Sequence, residues 1–326
     1  MSQSIRINDI KKIYATMLNI RLFEERIVAL YPEQEMRTPV HLCLGQEAIA
    51  AGVCFHLGKE DYLFTTHRCH GHCIAKGMDM AGMMAEFYGK KSGSCGGKGG
   101  SMHLVDPACG IVATSAIVGG GIPLAVGAAL GIKLKKEKRV AVVFFGDGAT
   151  DEGVFYESLN FAALKKLPVL FVCENNFYAT NSPQKARQPL DNIFKRGEIF
   201  GIRGYRCDGN DALKVWALAG SLLAKIRQGK GPFLLECRTY RWKGHVGPDC
   251  DAEKGCRPKS EVAAWLRQCP LKRLEMHCLR KKILTQKEIA GLRSTINEKI
   301  TEAVCFAKNS PFPEKEDVCQ DVIYRD

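Results

Sequence analysis

The sequence predicts an α/β protein built on a parallel sheet that is flanked by helices. Residues 140–145 and 168–173 are unbroken apolar runs, which are typical of strands buried on both faces. A helical pattern over residues 153–164 lies between them. Strand, helix and strand in this order form a βαβ unit, and such units make parallel sheets. Residues 233–237 form a further apolar run and add another strand.

Helical spacing of apolar side chains predicts the elements around this sheet. Helices are expected at residues 10–30, 46–55, 80–88, 123–134 and 153–164. A further helix is expected to follow the turn and cap at residues 208–211 and to end at residue 226. Glycine-rich stretches at 93–101 and 116–121 are predicted loops, and 244–259 is a predicted long, exposed loop. Two or three helices finish the chain. We expect one domain over residues 1–310, with an N-terminal helical segment, followed by a C-terminal tail over 311–326.

Composition limits the class of protein. With 326 residues, 46% of them hydrophobic, the chain can bury a large core. Fifteen cysteines, an odd number in a long chain, indicate reduced thiols rather than a disulfide framework. The formal net charge of +12 is dispersed, which indicates mainly solvated faces. Because the chain begins without an apolar signal core and contains no run of about 20 apolar residues, we expect a cytoplasmic protein with no nucleic-acid partner and no membrane contact.

Polar residues follow the two best strands at the point where each strand ends. Residues 146–150 read Gly-Asp-Gly-Ala-Thr, and residues 174–176 read Glu-Asn-Asn. Ligands bind beyond the carboxyl ends of strands in open parallel sheets, so Asp147 and Asn176 are expected at one edge. A carboxylate and an amide oxygen are ligands that suit Mg²⁺. The glycines on both sides of Asp147 let the backbone approach a phosphate, and the next helix directs its first amide groups at the anion.

The spacing of these two polar segments carries more information than either segment alone. Taken singly, Gly-Asp-Gly is an ordinary turn and Asn-Asn is a strand terminator. The 26 residues from 149 to 174 between them resemble the spacing of the thiamine diphosphate motif. Residues 153–169 resemble the α subunits of pyruvate, acetoin and branched-chain 2-oxo acid dehydrogenases, and the resemblance extends from Met17 to the region of Pro311. It implies the diphosphate-binding half of the thiamine-diphosphate-binding fold.

Further segments carry the same resemblance, at residues 41–48, 66–71, 97–103, 117–119 and 240–245. The resemblance implies that Asp147, Asn176 and the carbonyl group of Tyr178 bind Mg²⁺. The residues implied to contact the cofactor are His67, Arg68, Ala116, Val118, Asp147, Gly148, Ala149, Asn176, Tyr178 and His245. His245 and His41 are implied as the catalytic residues that face the substrate.

The resemblance also implies that this chain is half of an active site. In that family the cofactor is the electron sink while a 2-oxo acid loses CO₂, and a glutamate of the β subunit activates the cofactor. The implied partners are a β subunit, in an assembly of two α and two β chains, a lipoyl acyltransferase, and a small 2-oxo acid or acetoin.

Two alternatives use the same motif: a non-oxidative carboligase or lyase subunit, and a non-catalytic regulatory subunit that binds Mg²⁺ and a diphosphate. The presence of Arg68 and His245 together with the metal ligands argues against the regulatory subunit.

Three features depart from the pyruvate dehydrogenase pattern. His67 stands where those enzymes usually have tyrosine, and it resembles the acetoin type. Asp151 and Glu152 stand where they usually have the neutral pair Asn-Gln. Residues 246–259 contain no Ser or Thr, so the regulatory phosphorylation of eukaryotic members is not expected in this loop.

The run Cys-His-Gly-His-Cys at residues 69–73 permits a second metal interpretation, a zinc site. We disfavour it because Arg68 and His70 match the family segment and because the sequence offers no obvious second pair of ligands.

Overall fold

A six-stranded sheet with all strands parallel forms the centre of the molecule. The structure is a computed structural model that describes residues 5–320. The strand order is β2-β1-β3-β4-β8-β7. These six strands are β1 (Tyr62–Thr66), β2 (Ile111–Ser115), β3 (Ala141–Gly146), β4 (Val169–Asn175), β7 (Gly204–Asp208) and β8 (Phe233–Arg238). A separate antiparallel hairpin is formed by β5 (Tyr178–Ala179) and β6 (Ser182–Pro183).

Helices cover both faces of this sheet. They are α1 (Ile7–Leu30), α2 (Glu47–Cys54), α3 (His70–Lys76), α4 (Met80–Phe87), α5 (Gly121–Leu134), α6 (Gly153–Leu164), α7 (Gln184–Arg187), α8 (Ala212–Arg227), α9 (Lys259–Leu266), α10 (Pro270–Arg280) and α11 (Gln286–Asn309). Between residues 5 and 320, none of the helices combines the length and the apolar character that a membrane span requires.

The apolar cores lie on opposite faces of the sheet because side chains alternate along each strand. Val142 and Phe144 of β3 belong to the core that α1, α2 and α8 share. Val143 and Phe145 belong to the core that α5 and α6 share. Every residue of β4 is buried, as expected for a strand with helices on both faces. The predicted fold class, an α/β protein with a helix-flanked parallel sheet, is confirmed.

The register of the central strands brings their carboxyl ends together. Gly146 of β3 pairs with Glu174 of β4, and Asn175 pairs with Arg238 of β8. Asp147 and Asn176 therefore follow neighbouring strands at one edge, as the sequence predicts.

The opposite edge of the sheet carries the amino ends of the strands and the C-termini of helices. α5, α6 and α8 each end there, shortly before β3, β4 and β8 begin. A hollow of about 340 Å³ at this edge is lined by six cations and one carboxylate, that of Glu137. The cations are Lys133, Lys136, Lys138, Arg139, Lys166 and Arg227. Because cations stabilise helix C-termini, we assign this basic edge to fold stability.

Several elements differ from the sequence prediction. β1, β2 and β7 have five residues each and mix polar with apolar side chains, so they lack the apolar runs that predict β3 and β4. α3 was not predicted either, since it has seven residues and its histidines are buried, so it has no polar face to reveal helical spacing.

The loop over residues 244–259 is partly buried, and the prediction that it is exposed was wrong in this respect. Asp251 and Arg257 are buried, whereas the tip at 253–256 is exposed throughout. Arg241 donates to Oδ2 of Asp251 at 3.0 Å, and Arg257 donates to the backbone oxygen of Arg241 at 2.7 Å. Two buried guanidinium groups thus hold the loop on the protein, which its Gly and Pro content does not reveal.

The described part of the predicted tail packs near α4. The backbone N–H of Lys91 donates to the oxygen of Pro311 at 2.9 Å, and its side chain pairs with Asp317 at 2.7 Å. Residues 1–4 and 321–326, which begin the predicted domain and end the predicted tail, lie outside the described residues. The domain boundary at residue 310 stays a prediction.

Candidate functional site

A cavity of about 110 Å³ lies at the carboxyl ends of β1, β3 and β4. Most of the predicted site residues line it, namely His67, Arg68, Val118, Asp147, Gly148, Ala149, Asn176, Tyr178 and His245. Ala116 lies between two further lining residues, Ser115 and Ile117. His41 lies behind the lining, with its ring against those of His67 and His245. The structure thus brings the predicted residues together at the predicted edge of the sheet.

Asp147 follows β3 directly and carries a buried carboxylate. Its exposed fraction is 1%, and burial raises the pKa of this carboxyl above its ordinary value. Arg187 donates to Oδ2 of Asp147 and also pairs with Asp151. Gln188 donates to the backbone oxygen of Asp147 at 3.2 Å. A buried carboxylate needs a cation beside it, and in the chain by itself Arg187 supplies that charge.

Asn176 follows β4, and hydrogen bonds fix the direction of its amide. Nδ2 donates to Oε1 of Gln46 at 3.0 Å, and Oδ1 accepts from the backbone N–H of Tyr178 at 3.2 Å. The Tyr178 hydroxyl donates to Glu261 at 2.9 Å, which holds the start of the β5–β6 hairpin in place. An amide oxygen, a main-chain carbonyl and a carboxylate are therefore available around one side of the cavity.

Gly148 is the glycine that the close approach of two segments requires. A Cβ atom at this position would lie 2.8 Å from Cβ of Ala179, which is closer than such atoms come in proteins. A larger residue would therefore push the hairpin away from the turn after β3. The absence of a side chain also leaves the backbone of this turn accessible to a ligand.

Arg68 connects three segments at the wall of the cavity. Its guanidinium donates to the backbone oxygen of Leu42 at 2.6 Å and to that of His245 at 3.1 Å. Burial lowers the pKa of Arg68 to about 10, so the side chain keeps its positive charge at neutral pH. A fixed cation at this position favours an anionic ligand.

Three histidines from distant parts of the chain meet beside the cavity, where His67 and His245 line it and His41 packs behind them. The ring centroids of His41 and His67 are 4.7 Å apart, those of His41 and His245 are 5.1 Å apart, and those of His67 and His245 are 5.3 Å apart. Burial, together with the charge of Arg68, lowers the pKa of His41 to about 3, of His67 to about 2 and of His245 to about 4. All three rings are therefore neutral at pH 7, and each can accept a hydrogen bond on one ring nitrogen and donate one from the other.

Some residues of the site were not singled out from the sequence. Arg187 and Gln188 lie some 40 residues after Asp147, and nothing in their local pattern indicates the contact. Glu174, at the floor of the cavity, pairs with His72 at 3.1 Å. Gln46 lies within a segment that the sequence does single out, yet its hydrogen bond to Asn176 depends on tertiary structure.

His70 and His72 each have protein partners, which removes the basis for zinc at residues 69–73. His70 contacts Glu24 at 2.6 Å and Ser101 at 2.9 Å, whereas His72 contacts Thr65 at 2.8 Å. Among residues 5–320, the group of three side chains with metal-ligand spacing is a different one, formed by His41, His67 and His245.

A larger cavity, of about 610 Å³, lies between residues 177–191 and 256–261. Tyr178 is the predicted site residue that it shares with the smaller cavity. It contains neither Asp147 nor any of the three clustered histidines. We therefore assign the chemistry to the smaller cavity, because charge, metal-ligand oxygens and neutral imidazoles converge there.

Comparison with known proteins gives consistent matches over nearly the whole chain. The model of the dehydrogenase E1 component family matches residues 15–316. The α subunit of acetoin:2,6-dichlorophenolindophenol oxidoreductase from Bacillus subtilis is 42% identical over 310 residues, which cover 95% of this chain and 92% of the relative. The protein of the same name from Cupriavidus necator is 40% identical over 310 residues, with the same coverage. The α subunit of the pyruvate dehydrogenase E1 component from Porphyra purpurea is 38% identical over 308 residues, covering 92% of this chain and 89% of the relative.

Proposed function

Because the chain belongs to the dehydrogenase E1 component family, we propose that it is the α subunit of a heteromeric dehydrogenase that uses thiamine diphosphate and acts on a 2-oxo acid or on acetoin. The observation that carries this proposal is the buried carboxylate of Asp147 beside Asn176, at the paired ends of β3 and β4. Such a carboxylate is unfavourable in a fold unless a cation or a cation-bound ligand sits beside it.

The residues at this edge fit Mg²⁺ and a diphosphate. Asp147, Asn176 and the carbonyl of Tyr178 offer oxygen ligands, which Mg²⁺ prefers, and leave other positions for water and phosphate oxygens. The turn at Gly148 and Ala149 has no bulky side chain, and the N-terminus of α6 follows it. The loop at Ala116 and Val118, together with Arg68, His67 and His245, completes the proposed contacts with the cofactor. The cofactor, when bound, supplies the electron sink for cleavage of the bond next to the substrate carbonyl.

The chain's own residues then have separate tasks. Arg68 holds positive charge against the diphosphate and ties the backbone of His245 to the segment that carries His41. His245 lines the cavity and His41 packs directly behind it. Both imidazoles are neutral, and we assign them to hydrogen-bond the substrate oxygens and to position a proton there. Arg187 neutralises Asp147 in the chain by itself and gives up that role when the metal binds.

The substrate is proposed to be acetoin, with a pyruvate-like 2-oxo acid as the second candidate. The relatives from Bacillus subtilis and Cupriavidus necator, at 42% and 40% identity, have acetoin in their names, whereas the pyruvate dehydrogenase relative from Porphyra purpurea is 38% identical. His67 supports the same order of candidates, because it replaces the tyrosine of the pyruvate type.

A β subunit is the proposed partner, in an assembly of two α and two β chains. The cavity of about 110 Å³ is smaller than the roughly 300–1,000 Å³ of pockets that enclose a cofactor-sized ligand, so this chain covers only part of one. Ile117 and Val118 at its rim are 71% and 50% exposed, which is unfavourable for apolar side chains unless a partner covers them. A lipoyl acyltransferase is the proposed acceptor of the acyl group.

Fifteen free cysteines fit the reducing interior of a cell. We therefore propose that the protein is cytoplasmic.

The decisive experiment is reconstitution of the chain with a β subunit from the same organism. We expect acetoin or a 2-oxo acid to reduce 2,6-dichlorophenolindophenol only when thiamine diphosphate and Mg²⁺ are both present. The purified chain by itself should be inactive and should bind the cofactor weakly. Robust turnover by the isolated chain, shown by mass spectrometry to be free of any partner, would refute the half-site proposal.

Product analysis separates the proposal from its alternative. A carboligase or lyase subunit would convert the same substrates without reducing the dye and without transferring an acyl group to lipoamide. Reduction of the dye in step with loss of substrate supports the dehydrogenase.

A further inference from the structure

The cluster of His41, His67 and His245 has the arrangement of a metal site of a different kind from the oxygen site at Asp147. The three side chains come from three segments: one before α2, one directly after β1 and one in the loop after β8. One ring nitrogen from each lies within 4.8 Å of the others. None of these residues lies within 20 positions of another, so the fold rather than the local sequence brings them together.

The nitrogens are chemically available. The Nδ1 atom of His41 is buried and has no hydrogen-bond partner in the described part of the chain. An uncharged imidazole has one nitrogen with a lone pair that can bind a metal ion. Imidazole nitrogen suits Zn²⁺, Ni²⁺ and Cu²⁺, whereas Mg²⁺ prefers oxygen, so this cluster and the oxygen ligands at Asp147 select different ions.

We propose that His41, His67 and His245 form a three-histidine site that binds a divalent transition-metal ion such as Zn²⁺ or Ni²⁺. Three histidines with an open fourth position make an established type of zinc centre. Zinc–nitrogen bonds of about 2.0–2.1 Å place tetrahedral nitrogens roughly 3.4 Å apart, so the rings have to close by on the order of 1 Å. In the described part of the chain, Nδ1 of His41 has no hydrogen bond that would oppose such a movement.

Nearby positive charges lower the affinity of the three histidines for a metal cation. Arg68 and Arg241 act on the three rings as positive charges and oppose a cation, whereas Asp251 acts on His245 with the opposite sign. Arg68 is held by two backbone oxygens and stays in place. The histidines therefore provide the binding through their lone pairs and not through net negative charge.

Occupation of the site has a consequence that rests on the proposed function. A metal ion at the three imidazoles would remove the bases that we assign to the substrate. The ion is therefore an inhibitor of the assembled enzyme, and its removal restores activity.

The binding test uses the full chain, freed of metal and titrated with Ni²⁺ or Co²⁺, followed by calorimetry and absorption spectroscopy. We expect one ion per chain, with ligand-field bands of nitrogen coordination and no thiolate charge-transfer band. His67→Gln and His41→Gln should each weaken binding by at least about tenfold. His277→Gln, which alters a histidine on α10 outside the cluster, should bind as the wild type does. Unchanged affinity in His67→Gln, or a thiolate band that accounts for the bound ion, would overturn the site.

A measurement on the unaltered chain guards against variants that fail to fold. Proton resonances of the eight histidine rings are followed by NMR while Co²⁺ is added at less than one equivalent. Three ring signals should broaden first, and broadening of other histidines instead would contradict the proposal.

The activity of the reconstituted enzyme then tests whether metal binding at the three histidines inhibits turnover. Zn²⁺ should inhibit, and a chelator that prefers zinc to magnesium should reverse the inhibition. Binding at the three histidines without inhibition would leave the metal site in place and would refute the assignment of His41 and His245 to the substrate.

Discussion

The two edges of the central sheet are made by the same six strands but carry opposite chemistry. At the carboxyl edge, the buried carboxylate of Asp147, the amide of Asn176 and the neutral imidazoles of His67 and His245 line a cavity, with His41 behind them. At the amino edge, six cations line a hollow with one carboxylate. The carboxyl edge thus holds a buried carboxylate and uncharged imidazoles around a cavity, whereas the amino edge holds mainly positive charge.

Helix direction explains much of this difference. α5, α6 and α8 begin at the carboxyl edge and end at the amino edge, so their positive dipole ends lie at the edge that carries the cavity and their negative ends lie near the lysines. The same dipoles favour an anionic ligand at one edge and lysine side chains at the other. Residues at the first edge are therefore expected to control binding and turnover, and residues at the second edge to control stability alone.

The largest effect is expected for Asp147→Ala. Loss of the anionic ligand should lower cofactor-dependent activity of the reconstituted enzyme by at least about 100-fold and weaken binding of Mg²⁺ and thiamine diphosphate. Calorimetry and dye-reduction kinetics measure both. Lys138→Ala at the amino edge is the matched control and should change activity by less than about twofold. Unchanged cofactor binding in Asp147→Ala would show that the metal ligands lie elsewhere.

His245→Ala should have the next largest effect. We expect turnover to fall by on the order of 10²-fold, because a neutral base at the mouth of the cavity is lost, while assembly and melting stay normal. Steady-state kinetics of the assembled enzyme decide the point, with His277→Ala as the control. A change of less than about threefold in both turnover and substrate affinity would remove His245 from the site.

Arg187→Gln should affect the metal-free chain more than the loaded enzyme. Without the guanidinium, the carboxylate of Asp147 is buried without a counter-charge, and the free energy of unfolding should fall by about 1–3 kcal/mol. Mg²⁺ with thiamine diphosphate should restore most of this loss in the assembled enzyme. Melting curves with and without the ligands test it, and an equal loss in both conditions would mean that Arg187 has only a structural role.

The smallest effect is expected at Lys166, in the turn after α6. This residue has a φ angle of 46°, and the backbone N–H of Leu167 donates to Ala162 at 3.0 Å to close the helix end. Lys166→Ala and Lys166→Gly both remove the charge, but only glycine removes the cost of a side chain in the left-handed region. The glycine variant should therefore be more stable by about 0.5–1 kcal/mol. Both variants should keep full activity. A loss of turnover in either variant would contradict the claim that residues at the amino edge affect stability alone.

The sequence reveals the parts of the molecule whose signal is local. β3 and β4 are predictable because each is a continuous apolar run buried on both faces, and Asp147 and Asn176 are predictable because they follow these strands directly. β2 and β7 are the outermost strands of the sheet and are only partly buried, so no continuous apolar run marks them.

The rest of the site depends on contacts between distant segments. Arg187 reaches Asp147 across 40 positions, and Arg68 reaches His245 across 177. The meeting of His41, His67 and His245 follows from the order of the strands, which a single sequence does not give. Family resemblance singles out each of these histidines, but their mutual distance is a property of the folded chain alone.

The buried arginines in the loop after β8 determine where a protease can act. Trypsin needs an accessible lysine or arginine in a segment that can unfold locally. Arg241 and Arg257 are 1% and 2% exposed, and proline follows Arg257, so neither offers a site. Lys254 lies in the exposed tip at 253–256, between the two anchors. A cut after Lys254 would leave both ends of the nick tied down, since Arg257 still donates to the backbone oxygens of Arg241 and Lys243. The nicked chain would therefore separate into two fragments under denaturing conditions while staying together in native buffer.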